Sequence, residues 1–177
     1  MITILADENN SGVGRKLYEG FLARNIEADY ISVENVEVKP CYSCGGCTDK
    51  TYGKCVVRDD GDWIYPKLVK SDTMILVTPI VFGSYSFKLK RVYDKCAVIG
   101  DRHYKVRNHE LVKCGLAKIS HIYAVGVKDH CTEEEKAAFQ ALVRENIIIT
   151  STQGKAYVVN NDIDHNAINE MVGEMSI

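Results

Sequence analysis

The sequence predicts a doubly wound, parallel α/β sheet on three observations. Short apolar runs alternate along the chain with stretches in which apolar residues recur at helical spacing. One run, Thr-Met-Ile-Leu-Val-Thr at residues 73–78, is almost continuously apolar, as a strand covered on both faces requires. A capping box, Thr132 with Glu135 three residues on, marks a helix that begins directly after the fourth such run.

Taken in order, residues 2–6 form the first strand and lead through a polar, glycine-bearing loop at 7–14. The helix that follows carries Leu17, Phe21 and Leu22. Residues 26–33 read as the second strand. A cysteine-rich insertion occupies about 38–61, before a helix at about 62–70 whose first turn must hold Pro66, since proline lacks the N–H an inner turn uses. The third strand, 73–78, stops at Pro79, and Phe87, Leu89, Val92, Tyr93 and Cys96 then share one helical face. Residues 119–127 supply the fourth strand, and the helix started by Thr132 runs to about Arg144. Residues 147–150 and 157–159 make a last strand interrupted at Gly154, and a closing helix lies near 163–172. Neither a repeat nor an interdomain linker is visible, so residues 1–177 are read as one domain. Right-handed crossovers then give strand order 2-1-3-4-5, the flavodoxin-like arrangement.

A chain of 177 residues is long enough to bury about 70% of its unfolded surface. Its 46% hydrophobic and 26% charged content excludes disordered and fibrous classes. A formal net charge of −2 provides neither a basic stripe for nucleic acid nor a polybasic segment for lipid, so no nucleic-acid or membrane partner is expected. The first apolar run is too short for a signal-peptide core or a membrane span, which makes a cytoplasmic location the expectation. Seven cysteines in that setting read as reduced thiols or metal ligands rather than disulfides.

Cys41, Cys44, Cys47 and Cys55 follow the spacing C-x2-C-x2-C-x7-C. A cubane iron-sulfur cluster needs thiolates from several sides, three from a tight loop and a fourth from a little further on, and Gly45 and Gly46 let such a loop wrap closely. Zinc is the second reading, because structural zinc more often takes two separated C-x2-C pairs. Four thiols buried without metal fit poorly in so polar and glycine-rich a segment.

In sheets of this order the ligand site lies beyond the carboxyl ends of the strands, between strands 1 and 3. The first loop there offers Asn10, Ser11, Gly12, Val13 and Gly14 ahead of a helix, a setting for an anion, with Arg15 as a possible counter-charge. An Asn/Ser cap on a glycine turn explains the same residues equally well, and Asp7 and Glu8 oppose a phosphate. In the second loop Thr78, Pro79, Ile80, Val81, Phe82, Gly83 and Ser84 carry apolar character past the strand end, as a flat apolar ligand would need. The alternative is a turn packed under the next helix or against a partner subunit. Residues 126–131 close one side.

From Pro40 to Asp94 the sequence resembles the iron-sulfur flavoproteins within the NADPH-dependent FMN reductase group. The resemblance rests on the cysteine motif, Asp59-Asp60 after Cys55, the passage Val77-Thr78-Pro79-Ile80-Val81-Phe82-Gly83-Ser84, and Leu89-Lys90 through Asp94-Lys95. It implies that the loop at 79–84 lies against the isoalloxazine ring of FMN and that the loop after strand 1 holds the FMN phosphate. It also implies a [4Fe-4S] cluster on the four cysteines, and a homo-oligomer, dimer or tetramer, that brings cluster and flavin together across a subunit interface. Two departures stand out. Asp-Glu-Asn-Asn-Ser-Gly-Val-Gly replaces the usual phosphate cradle, and Val81 replaces a usual tyrosine.

Among other residues, Cys131 beside His130 reads as a neighbour of a helix cap rather than a reactive thiol, and Cys96 and Cys114 as core. His103, His109, His121 and His165 lack metal-ligand spacing. Asp59, Asp60 and Asp62 read as acids at a helix start, and Lys88, Lys90 and Arg91 as a solvated helix face. No catalytic acid or base is assigned. The expected function is electron transfer between FMN and a [4Fe-4S] cluster, with ferredoxin or NAD(P)H as redox partner. The rivals are an NAD(P)H-dependent FMN or quinone reductase without a cluster, and a zinc-stabilised binding domain that has lost FMN.

Overall fold

In chain order the elements of the computed structural model are β1 (Ile2–Ala6), α1 (Val13–Ala23), β2 (Ala28–Ser32), α2 (Gly46–Asp49), α3 (Gly61–Lys70), β3 (Thr73–Pro79) and α4 (Phe87–Asp94). They continue with β4 (Tyr104–Arg107), β5 (Glu110–Lys113), β6 (His121–Val127), α5 (Glu133–Thr150), β7 (Gln153–Val159) and α6 (His165–Met175). The structure describes residues 1–8 and 12–176. Five strands form a parallel sheet in the order β2-β1-β3-β6-β7, which is 2-1-3-4-5 counted along the sheet strands, the flavodoxin-like order expected.

The near-continuous apolar run of β3 reflects two cores, one on each face. Met74 and Leu76 join Leu5, Ile122 and Ala124 beneath Ile64 and Leu68 of α3, Leu89 of α4, and Phe139 and Val143 of α5. Ile75 and Val77 point the other way, with Ile4, Ala6, Tyr123 and Val125, against Leu17 and Phe21 of α1 and Ile168 and Val172 of α6. Alternate residues of a strand face opposite sides, so only a central strand needs both sets apolar. Each fully buried Leu, Ile or Phe contributes about 1.5–3 kcal/mol.

Several boundaries differ from the sequence expectation for identifiable reasons. Helix α3 begins at Gly61, which places Pro66 beyond the first turn and leaves one intrahelical bond unmade. The helix after Thr132 is 18 residues long and runs to Thr150, so residues 147–150, expected as strand, are its last turn. The capping box and three acids in its first turn start it firmly, and it ends only where Ser151 turns left-handed and its N–H reaches the carbonyls of Ile147 and Ile148. Gly154 does not interrupt the last strand. It pairs within β7 at φ 133, and a Cβ there would collide with the Ile122 carbonyl oxygen, so the pairing depends on glycine.

The hairpin β4–β5 lay outside the sequence reading. Its turn residues Asn108 and His109 both have positive φ, 52 and 66, the signature of a tight two-residue turn. Between α4 and the hairpin the chain tightens into a 3₁₀ turn at Lys95–Ile99. Among the described residues no helix is long and apolar enough to cross a membrane.

Candidate functional site

Beyond Pro79 the chain reverses at once. Val81 and Ser84 exchange both backbone hydrogen bonds, each 3.0 Å, with Phe82 at φ 49 and Gly83 at φ 72 on the apex. A phenylalanine in the left-handed region is uncommon because its Cβ crowds the neighbouring carbonyl. The turn is braced from below. The Ser86 N–H donates to Thr78 Oγ1 (2.9 Å), the Leu89 N–H to the Ser86 hydroxyl that caps α4 (3.2 Å), and the Ile80 N–H to the Val127 carbonyl. Gly83 lets α5 approach, since a Cβ there would stand 2.7 Å from that of Ala138. Ile80 is thus core, while Phe82 is 94% exposed and Val81 43%. A turn simply packed under a helix accounts for Ile80 and Gly83 but not for Phe82.

Across the sheet's switch point lies the start of α1. Asn10 and Ser11 lie outside the described residues. Gly12 is left-handed at φ 65, and Val13 and Gly14 are buried in the first turn. The helix start is occupied by the protein's own carboxylate. The Arg15 N–H donates to Glu8 Oε1 at 2.7 Å, and a Cβ on Gly14 would collide with that oxygen. Tyr30 of β2 also faces Glu8, and burial, then the Glu8 charge, push Tyr30 up to about 12. The Arg15 guanidinium stacks 5.1 Å from the Tyr30 ring centre rather than turning to an anion. Asp7 is 2% exposed, and among the described residues its Oδ1 has no hydrogen-bond partner. On the third side Lys128 pairs with Glu135, and Asp129 accepts from the backbone and side-chain N–H groups of Asn161.

The cysteine loop leaves the carboxyl end of β2 and is tied at its neck. The Glu37 N–H donates to Asp60 Oδ2 (2.6 Å), the Lys39 N–H to Asp59 Oδ2 (2.9 Å) and the Gly61 N–H to Asp59 Oδ1 (2.9 Å). Asp59 also pairs with Lys95 from the far side of α4, and the two side chains are 3% and 2% exposed. Burial pushes the Asp59 carboxyl up, but the Lys95 bond, the two amides and the lysine charge together hold it below the ordinary carboxylate range. The acids after Cys55 are therefore clasps of the loop more than caps of α3. Asp60, at the N-cap position, makes no side-chain cap bond.

Within this loop Ser43 (φ 50) and Gly45 (φ 68) turn left-handed, and the single turn α2 follows, with Cys47 on it. A Cβ on Gly46 would stand 2.8 Å from Val56 and 3.5 Å from Cys44 Sγ, so glycine is what lets this turn close beside the thiols. All four cysteines line one cavity of about 430 Å³, together with Lys95, Tyr104 and Lys113. Cys41 and Cys44 are exposed, Cys47 and Cys55 half-buried, and the Val57 N–H points at Cys55 Sγ (3.4 Å). Four thiols on one cavity, with a backbone donor to one sulfur, fit the donor set of an iron-sulfur cluster. The thiols are not drawn together, and among the described residues no three His, Cys, Asp or Glu side chains converge as a metal site.

Elsewhere Cys96 is buried as expected, but Cys114 is exposed rather than core, because the hairpin that carries it stands off the sheet. The Cys131 thiol donates to the Thr132 carbonyl (3.6 Å) beside the capping box. Lys88 pairs with Glu34, Lys90 with Asp94, and Arg91 lies over Phe87, so all three are engaged locally. From sequence, Tyr30 had no assigned role, Glu8 was read only as opposing a phosphate, and Lys95 entered only as the end of the segment Leu89-Lys90 through Asp94-Lys95.

Residues 4–152 match the family described as NADPH-dependent FMN reductase. An iron-sulfur flavoprotein of Methanosarcina thermophila is 34% identical over 85 residues, which are 48% of this chain and 44% of that protein. The chain thus spans less than half the length of that relative. Among solved structures, an FMN-dependent NADH-azoreductase from Bacillus anthracis in complex with FMN superposes with a TM-score of 0.65 at 12% identity, over 99% of this chain and 98% of that one. A flavodoxin from the domain Archaea superposes with a TM-score of 0.53 at 9% identity, over the whole of both chains. These two likenesses establish the fold.

Proposed function

The chain belongs to the NADPH-dependent FMN reductase family, and from that premise we propose that it is an iron-sulfur flavoprotein, an oxidoreductase that passes electrons between a flavin and a [4Fe-4S] cluster. Flavin exchanges one or two electrons and a cluster one, so the pair joins one-electron carriers to two-electron partners. The chain's part is positioning. The turn at 81–84 presents Phe82 and Val81 as an apolar surface for the ring. Thr78, Pro79 and Ile80 hold that turn rigid, Gly83 brings a backbone amide to its edge, and Ser84 closes the turn by its exchange with Val81. Cys41, Cys44, Cys47 and Cys55 would hold the cluster, with the loop neck clasped by Asp59 and Lys95.

The observation that carries this reading is the sharing of one cavity by all four cysteines on a clasped loop, apart from the exposed turn after β3. The redox partner is ferredoxin-like or NAD(P)H, and a homo-oligomer would bring turn and cysteine loop of different copies together. The test is a pair of variants. Cys47→Ser should lose iron and sulfide and keep flavin, while a Phe82→Asp variant should lose flavin and keep iron. Full iron retained by Cys47→Ser would remove the cluster assignment.

A further inference from the structure

At the start of α1, where a helix N-terminus would favour an anionic ligand group, the anion already present is Glu8. Its Oε1 accepts the Arg15 N–H at 2.7 Å and fills the space that Gly14 leaves open. Tyr30 of β2 faces the same carboxylate. Arg15 lies over the Tyr30 ring, so its guanidinium is directed at the ring and not at an anion. A phosphate carries about −1.5 to −2 at neutral pH and would meet both a filled donor and a like charge. The exposed turn at residues 81–84 takes no part in these contacts.

We propose that Glu8 sets the flavin specificity of this chain: its carboxylate stands in for a phosphate at the start of α1, so an unphosphorylated flavin binds nearly as well as FMN, which must displace it. The proposal rests on the flavin reading above. It names the ligand class as isoalloxazines with an uncharged ribityl end.

The test uses the protein as purified, equilibrated with equimolar FMN and riboflavin, freed of unbound flavin, and analysed for the bound ratio. Wild type should hold the two in comparable amounts. Glu8→Gln keeps an acceptor for the Arg15 N–H and removes the charge, so its ratio should move toward FMN by about tenfold, the equivalent of ~1.4 kcal/mol. Tyr30→Phe, which removes the hydroxyl facing Glu8 and leaves the charge, should move it less, and provides the comparison if Glu8→Gln folds poorly. An FMN-to-riboflavin ratio that stays the same or falls in Glu8→Gln while flavin is still bound overturns the proposal alone. Absence of both flavins from wild type and variants overturns the flavin reading with it.

Discussion

Cys96 and the loop cysteines carry the same thiol in opposite surroundings. Burial, and then the charge of Asp94, push the Cys96 thiol up to about 12, so at pH 8 it stays protonated. Iodoacetamide on the folded, chelator-treated protein at that pH should label Cys41, Cys44 and Cys114, which are exposed, and leave Cys96 unmodified until denaturant is added. Peptide mapping that finds Cys96 alkylated in the folded protein would contradict its place in the core. Phe82 presents the converse case, a large apolar residue held where apolar residues rarely sit. Left-handed backbone costs a non-glycine residue about 1–2 kcal/mol, and asparagine tolerates it better. Phe82→Asn should therefore raise the unfolding free energy by about 1 kcal/mol and reduce retained flavin. Stabilisation with undiminished flavin would mean that the exposed ring serves something other than the cofactor.

Among the elements, the cysteine loop depends on its clasp. Removing one partner of a buried ion pair leaves the other uncompensated, so Asp59→Asn should lose about 3–5 kcal/mol at neutral pH. The folded Asp59 carboxyl lies below its unfolded value, so its contribution is present above the unfolded carboxylate pKa and is lost as pH falls through the depressed folded one. The deficit of Asp59→Asn against wild type should accordingly shrink in urea titrations taken from pH 7 toward pH 3. A deficit that is unchanged at acid pH would mean the carboxylate charge is not what stabilises the clasp.

The same elements show what a sequence can reveal. The start of α5 was legible because a capping box is a local signal within four residues, whereas its end was not, because Ile147, Ile148 and Ile149 suit a strand as well as a helix. The β4–β5 hairpin escaped because its four-residue strands turn on Asn-His, without the glycine that usually announces such a turn. The four cysteines were legible for the reason the capping box was. Lys95 was not, since its partner Asp59 lies 36 residues away, and the placement of Glu8 depends on β2 bringing Tyr30 alongside.

For the whole molecule, sheet order puts the turn after β3 and the start of α1 on the same carboxyl edge, from which the cysteine loop also departs. On the proposed reading one chain carries a surface for a flat apolar ring and, on a separate clasped loop, a thiol set for a cluster. Electron transfer within the protein requires their joint use. The direct measurement is an absorption spectrum of anaerobically purified protein with flavin, iron and acid-labile sulfide quantified on the same sample. Flavin together with about four irons and four sulfides per chain is the predicted result. Flavin without iron would reduce the protein to a simple flavin reductase and contradict the paired-centre account, and neither flavin nor iron would contradict the redox assignment altogether.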